Sequence, residues 1–511
     1  MTEKLRSIFA NLSPLDHRYS RDEEIFNKLA GYFSEESRLK MEARVEAALV
    51  AALNEEGLAP AAAVKEVEIA VDKITAEAVY REEEKTRHNT RALVNCLRQE
   101  VSPENRQYIH LGATSFDIID NGAILRYQNF TREVLLPELI ELTETLLEIA
   151  KREKETPQVG RTHGQQAVPL TFGYYLAGFV SRLGQRIEEI LNRTSSLKGK
   201  FSGAVGSYNA LDLLVDDPPA FEENLLNSLG LKPAEHSTQI LPPEYLTDYF
   251  HSLVSTLGVL ADLSDDMRHL QRSEISEVGE AFQEDQVGSS TMPQKRNPIN
   301  FENVKGSWKT FLPRMFTVYQ DQLSEHQRDL TNSTTARYYP EIPIGLFLAA
   351  HRLNRVFKRF VVDKKQMKSN LAAGKSLLAA EPLYILLARE GHPDAHEAVR
   401  QLTLKVENQL KANSIKNSTK VNNMDSKDKL NIINKKENIT SKDINKNKTN
   451  SLWEFARQNP ELQPYLKSFS DQEKNLLQNP ELYLGRSAEK TEIITNRWQK
   501  KLNDIKNSLK D

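Results

Sequence analysis

LTDYFHSLVSTLGVLADLSDDMRHL, residues 246–270, decides the fold class. Its apolar side chains fall at Leu246, Phe250, Leu253, Leu257, Leu260 and Leu263 and continue towards Leu270, in steps of three and four. That spacing lays one apolar stripe along a helix packed almost parallel to its neighbours. Two further stretches repeat it: Leu135, Leu139, Leu142, Leu146 and Ile149, then Phe172, Leu176, Phe179, Leu183, Ile187 and Ile190. Alternation of period two is scarce, and Gly and Pro gather at a few points. Three long helices, each with one apolar face, predict an all-α chain built around a central bundle.

Length and composition bound the rest. A chain of 511 residues is too long for one compact core, so two or three domains are expected. With 39% hydrophobic and 27% charged residues it reads as an ordinary globular protein. No apolar run approaches the roughly 20 residues of a membrane helix. The opening MTEKLRSIFANLSPLDHRY carries acidic residues and no continuous apolar stretch, so no secretory signal is expected. Cys96 is the lone cysteine, which excludes an intrachain disulfide and a cysteine-based metal cluster. A cytoplasmic location follows as the expectation. The net charge of −3 supplies no basic field, against nucleic acid as a main partner.

One segment departs from this pattern. Residues 408–450 hold eleven Asn and ten Lys with no Gly, Pro or aromatic side chain. Its few aliphatic residues are too sparse to offset the entropy of ordering the backbone, so a flexible insertion within a helical carboxy-terminal domain is predicted. The expected division is 1–110, 111–365 and 366–511.

The polar stretches between the long helices carry the chemistry. YIHLGATSFDIIDN precedes the first, GRTHGQQAVPLTFG the second, and GSSTMPQKRNPINFEN follows the third. Gly, Ser, Thr, Asn and His are residues of turns and sites rather than cores. GSSTMPQKRNP, residues 288–298, offers hydroxyls, a cation, an amide and several N–H donors on a loop restrained by two prolines. That inventory suits a carboxylate and the negative charge that develops on it during proton removal. A serine hydroxyl becomes a base only where a positive setting favours its alkoxide and solvent is excluded.

GSSTMPQKRNP matches every fixed position of GSSxMPxKxNP and so resembles the signature of the fumarase and aspartase superfamily. The resemblance implies an all-α, three-domain fold whose central long-helix bundle forms the core of a homotetramer, and anti-elimination that releases fumarate without metal or cofactor. It makes Ser289 the general base, with Lys295 and Asn297 stabilising the aci-carboxylate and Glu302 pairing with a catalytic histidine. GRTHGQQAVPLTFG is similar to the adenylosuccinate lyase segment that carries the general acid, here His163. A histidine titrates near neutral pH and can protonate a departing nitrogen.

The same family resemblance places Thr114 and Ser115 of ATSFD at the substrate carboxylates with His110 near them. SPLDHRY supplies Arg18 and Tyr19, and QRDLTNSTTAR supplies Arg328, Ser333 and Arg337, to a nucleotide phosphate that guanidinium groups bind bidentately. HSTQILP contributes Gln239. Arg87, His88, Asn89, Ser290, Arg296 and Asn303 complete the implied substrate contacts. The activity implied is β-elimination of fumarate from succinyl-AMP, giving AMP, and from SAICAR, giving AICAR, in purine biosynthesis. Active sites would be shared between subunits, and small molecules would be the only other partners.

Two departures stand out. The family's His-Asp pair reads His88-Asn89, and an asparagine cannot supply the charge. The Asn/Lys-rich insertion lies away from every matched motif. Carboxymuconate cycloisomerases share GATSxD and a similar signature loop, and a non-catalytic helical scaffold is the remaining alternative. Gly374-Lys375-Ser376 imitates a P-loop ending but lacks the first Gly and a preceding strand. His392 and His396 lack an HExxH context.

Overall fold

The computed structural model describes residues 11–281, 291–292, 294–329, 331–422 and 452–510. A π-helical turn, Leu15–Tyr19, leads into helices α1 (Glu23–Phe33), α2 (Glu35–Glu55), α3 (Ala61–Lys73), α4 (Ala76–Thr86) and α5 (Asn89–Gln99). Helix α6 (Ser115–Phe130) passes through a π turn into α7 (Leu136–Arg152). Strands β1 (Pro157–Thr162) and β2 (Gln165–Thr171) form a hairpin ahead of α8 (Phe172–Ser195) and α9 (Pro218–Ser228). Then come α10 (Glu244–Leu270), β3 (Val278–Gly279), α11 (Ile299–Phe311), α12 (Arg314–Gln320), α13 (Asn332–Thr335), α14 (Glu341–Phe357) and β4 (Val361–Val362). The carboxy-terminal part holds α15 (Lys364–Leu378), α16 (Ala380–Arg389), α17 (Ala395–Asn422), α18 (Leu452–Gln458), α19 (Gln463–Leu466), α20 (Asp471–Gln478) and α21 (Ser487–Ser508).

The apolar stripes become the bundle. Leu135, Leu139, Leu142, Leu146 and Ile149 are buried, as are all six residues of the α8 stripe and the α10 residues from Phe250 to Leu263. Helices α7, α8, α10 and α14 pack on one another, with α11 against α10 and α14. Their core runs on without a break into α1–α6. A second, smaller core joins Leu383, Leu387, Val399, Leu402 and Val406 to Leu452, Trp453 and Leu477. Helix α21 leaves that core and returns to α7 and α8, burying Trp498, Leu502 and Ile505 in the main one. Among the described residues no single helix is long and apolar enough to cross a membrane.

Two features differ from the sequence reading. GRTHGQQAVPLTFG forms a β-hairpin rather than an irregular loop. Thr162 pairs with Gln165, and the two residues between them, His163 and Gly164, both have positive φ of 53° and 74°. Positive φ at both central positions is the primed turn that matches the twist of paired strands, and glycine adopts it without strain. Second, α17 continues to Asn422, well into the segment expected to be flexible from Asn408. Its first turns are anchored by buried Val399, Leu402 and Val406. Propagation from such a nucleus adds one hydrogen bond per residue fixed, and Lys is a good helix former. Residues 423–450 of that segment lie outside the described residues.

Candidate active site

The amino end of α6 is built by a buried carboxylate. Asp117 Oδ2 accepts from Thr114 N at 2.8 Å in a capping box, while Oδ1 accepts from Ser202 N at 3.2 Å and Gly203 N at 3.3 Å. Lys200 Nζ closes an ion pair with the same oxygen, and both side chains are fully buried. Asp117 thus acts as the pin that holds the 200–203 chain against the start of α6. Thr114 and Ser115 are left at a helix amino terminus, where unpaired N–H groups and the macrodipole favour a carboxylate.

Other predicted residues meet there. His110, at φ 66°, bonds through Nδ1 to Glu46 Oε1 at 2.7 Å. Burial favours its neutral ring, but the hydrogen bond and the charge of Glu46 outweigh it, so the imidazole titrates above its usual range. The Gln239 segment is tied in twice. Gln239 N donates to Gln327 O at 3.3 Å, and Leu241 N donates to Asp120 Oδ2 at 2.9 Å. Burial pushes the Asp120 carboxyl up to about 6 despite that hydrogen bond. Arg328 lies over the Phe116 ring at 5.7 Å, and its Nε and Nη1 are buried with no hydrogen-bond partner among the described residues. Such a guanidinium is poised for an anion. Ser333 and Arg337 are exposed on the same segment. That segment is held by Asp321, whose backbone O accepts from Asn332 Nδ2 at 2.7 Å and whose carboxylate accepts from Thr335 Oγ1 at 2.5 Å.

A second group lines a cavity of about 980 Å³ between the Leu15–Tyr19 turn, α1, α11 and α14. Arg18, Tyr19 and Asn303 open onto it. Glu280 and Ala281, before the signature loop, and Ile299 and Asn300, after it, lie on the cavity wall. Glu280 accepts from Asn300 N at 3.0 Å, Asn300 Nδ2 at 2.6 Å and Phe301 N at 3.2 Å. One carboxylate therefore pins both ends of the loop and caps α11. Ser289 and Ser290 lie outside the described residues. Lys295 and Arg296 are exposed, Asn297 is half-buried, and Glu302 is exposed in the first turn of α11.

His163 stands alone at the exposed tip of its hairpin. The hairpin is fixed by Glu277, itself fully buried, whose carboxylate takes Arg161 Nη2 at 2.7 Å, Gln158 Nε2 at 2.7 Å and Asn370 Nδ2 at 2.8 Å. No hydrogen bond or ion pair joins His163 to the other groups within the described chain. Arg87, at φ 54°, ends α4, and His88 caps α5 by accepting from Arg91 N at 3.2 Å. Asn89 Oδ1 accepts from Thr90 N at 2.8 Å.

The carboxylates Asp117, Asp120, Glu277, Glu280 and Asp321 were missed from sequence, although each positions a predicted segment. The set-aside features stay structural. Lys375, within α15, donates to Asn479 Oδ1 at 3.1 Å, and the His392 and His396 rings pack on Tyr465 and Tyr384.

Comparison with known proteins places these elements. Residues 18–309 match the family described as "Lyase", and residues 324–446 match "Adenylosuccinate lyase C-terminal". The adenylosuccinate lyase of Pyrococcus abyssi is 36% identical over 398 residues, 77% of this chain and 86% of that protein. That of Thermotoga maritima is 33% identical over 390 residues, 74% and 87% of the two chains. Among solved structures, the 3-carboxy-cis,cis-muconate lactonizing enzyme of Pseudomonas putida superposes with a TM-score of 0.76 at 24% identity, covering 96% of this chain and all of that one. A fumarate lyase from Mesorhizobium follows at 0.74 and 20% identity, over 94% and 99%. At that identity the two likenesses establish a shared all-α fold only. The curated relatives decide between the readings left open by the sequence: the chain is a lyase and belongs to the adenylosuccinate lyase family.

Proposed function

We propose that this chain eliminates fumarate from succinyl-AMP, leaving AMP, and from the analogous SAICAR, leaving AICAR. The observation that carries the reading is the extent of identity with proteins named adenylosuccinate lyase, 36% across 86% of one of them. In the proposed reaction Ser289 takes the proton from the succinyl carbon next to a carboxylate. The electron pair moves into that carboxylate, where Lys295 and Asn297 stabilise the aci form. The C–N bond then breaks, and His163 gives its proton to the departing nitrogen. Thr114 and Ser115 at the α6 terminus suit the carboxylates, Arg18, Arg328 and Arg337 the phosphate. Asn89 leaves this site one negative charge short of the family pattern.

We further propose a cytoplasmic homotetramer whose sites combine His163, the α6 group and the signature loop from different subunits. The isolation of His163 within one chain supports this. So do Phe316, Leu323 and Tyr338, which are 69%, 79% and 54% exposed around the 324–338 segment. The proposed domain division, with boundaries near 110 and 365, draws support from the separate small core of residues 379–477.

Ultraviolet absorbance of succinyl-AMP tests the reaction, with no spectral change as the refuting result. Mixing Ser289→Ala with His163→Ala, each inactive alone, should restore activity in roughly a quarter of sites if the two groups come from different subunits. No recovery after co-refolding would show that each site takes both residues from one chain.

A further inference from the structure

The cavity beside the Leu15–Tyr19 turn carries more positive charge than one substrate phosphate needs. Six cations line it: Arg18, Arg21, Arg352, Arg355, Lys358 and Arg359. Two are spoken for, since Lys358 pairs with Glu141 at 2.5 Å and Arg352 donates to Asn300 Oδ1 at 2.8 Å. The side chains of the other four make no hydrogen bond or ion pair with the described residues. The acids on the same wall, Asp22 and Glu280, are occupied in capping α1 and α11. Neighbouring guanidinium groups repel, and burial with the charge of Arg355 and Arg18 already draws Arg352 below its usual range. Glu280 offsets part of that field at Arg352, but no side-chain ion pair within the described residues neutralises Arg18, Arg21, Arg355 or Arg359.

We propose that this cavity binds an oligophosphate, the three or more charges of a di- or triphosphate chain resting on Arg21, Arg355 and Arg359 with Arg18 at the shared mouth. Guanidinium forks donate bidentately to phosphate oxygens, and a single phosphate monoester of charge about −2 satisfies only about two of them. A volume of about 980 Å³ accommodates a ligand of nucleotide size. The wall also connects to the reaction: Arg352 holds Asn300, and Asn300 is the residue through which Glu280 pins the signature loop. An anion that draws Arg352 off Asn300 would loosen the base of that loop, so occupancy lowers turnover. The inference rests on the proposed lyase reaction for its kinetic consequence alone; the binding stands without it.

The test is calorimetric titration of the full chain with tripolyphosphate and with orthophosphate, on wild type and on Arg355→Ala/Arg359→Ala, both exposed positions. Tripolyphosphate should bind saturably and about tenfold or more tighter than orthophosphate, and the double variant should lose about tenfold in affinity. Succinyl-AMP turnover by the variant should keep its kcat and KM while becoming resistant to tripolyphosphate. Equal affinity in variant and wild type, or no preference for the longer chain, overturns the proposal. A KM for succinyl-AMP that rises in step also overturns it, because the cavity is then only the substrate's own phosphate pocket. Competition by a nucleoside triphosphate would identify a nucleotide as the source, and its failure to compete an inorganic chain; both outcomes support the site. Absence of lyase activity with intact tripolyphosphate binding would fault the proposed reaction and not this inference.

Discussion

Lys200→Met should destabilise the chain by about 3 kcal/mol and damage the substrate site with it. Lys200 and Asp117 are both fully buried, and the ammonium is the one cation that pairs with that carboxylate among the described residues. Removing one partner of a buried pair costs about 3–5 kcal/mol, because the remaining charge is stranded in a low-dielectric interior. Three backbone N–H groups, of Thr114, Ser202 and Gly203, still reach Asp117, which places the expectation at the lower end. Methionine keeps most of the aliphatic stem, so little packing is lost. The loss corresponds to about a hundredfold in the folded-to-unfolded ratio. The assay is urea denaturation at fixed protein concentration, since assembly shifts the midpoint by mass action. Asp117→Asn in the same background deletes the stranded charge and should recover more than half of the loss, a coupling that a double-mutant cycle isolates. Activity should fall through KM, because the pin between Ser202 and Thr114 loosens where the substrate carboxylates are proposed to sit. A cost below about 1 kcal/mol, or no recovery in the double variant, refutes the reasoning.

Gly184→Ala places a Cβ 2.3 Å from Trp498 Cε3, a ring that is 1% exposed, so α21 must shift off α8. Overpacking of this kind costs about 1–3 kcal/mol, and an unchanged melting temperature would contradict it. Asp120, at about 6 in the fold against an ordinary 3.8, contributes stability that is complete below its ordinary value and lost as pH rises through about 6. Asp120→Asn should therefore flatten the stability profile between about pH 4 and 6 and gain on the wild type, on the order of 1 kcal/mol, at neutral pH. His110 has the opposite cause and the same sign: its raised value gives stability that is full below the ordinary 6.5 and lost as pH climbs past the folded value. Glu46→Gln should lower the titration midpoint of His110 followed by proton NMR, and an unmoved midpoint would exclude Glu46 as the cause. Replacing residues 423–451 by a short Gly-Ser linker should leave melting and activity near wild type, because Val406 on one side and Leu452 and Trp453 on the other are already joined in one core. A large drop in melting temperature would show the insertion to be structural.

The bundle was legible because a helix stripe is a local pattern. Phe250, Leu253, Leu257 and Leu260 announce their shared face within one stretch of chain, and burial follows. The hairpin was less legible. QQAVPLT has neither clean alternation nor a usual strand composition, and only the short His163-Gly164 turn, with its glycine at positive φ, hints at it. The positioning carboxylates were illegible for a different reason. Lys200 lies 83 residues from Asp117, Leu241 121 from Asp120, and Arg161 116 from Glu277. A buried acid whose partner is that remote reads in the sequence as one more surface charge.

Three of the predicted site residues share a property that no composition or motif displays. Outside glycine, only Arg87, His110, His163, Tyr208, Ser276 and His326 have positive φ among the described residues, and the first three are predicted site residues. A left-handed conformation costs a side-chain-bearing residue roughly 1–2 kcal/mol, and it persists only where the surroundings over-determine it. The surroundings here are identifiable: Glu46 holds the His110 ring, the paired strands β1 and β2 with Glu277 behind them force the His163 turn, and the His88 cap starts α5 one residue after Arg87. Each strained backbone turns a cationic or titratable side chain out from the end of a rigid element, which is how a helical scaffold presents chemistry it cannot carry in its stripes. The motifs located these residues, and for His110 and His163 the buried carboxylates Glu46 and Glu277 explain why the costly conformation holds.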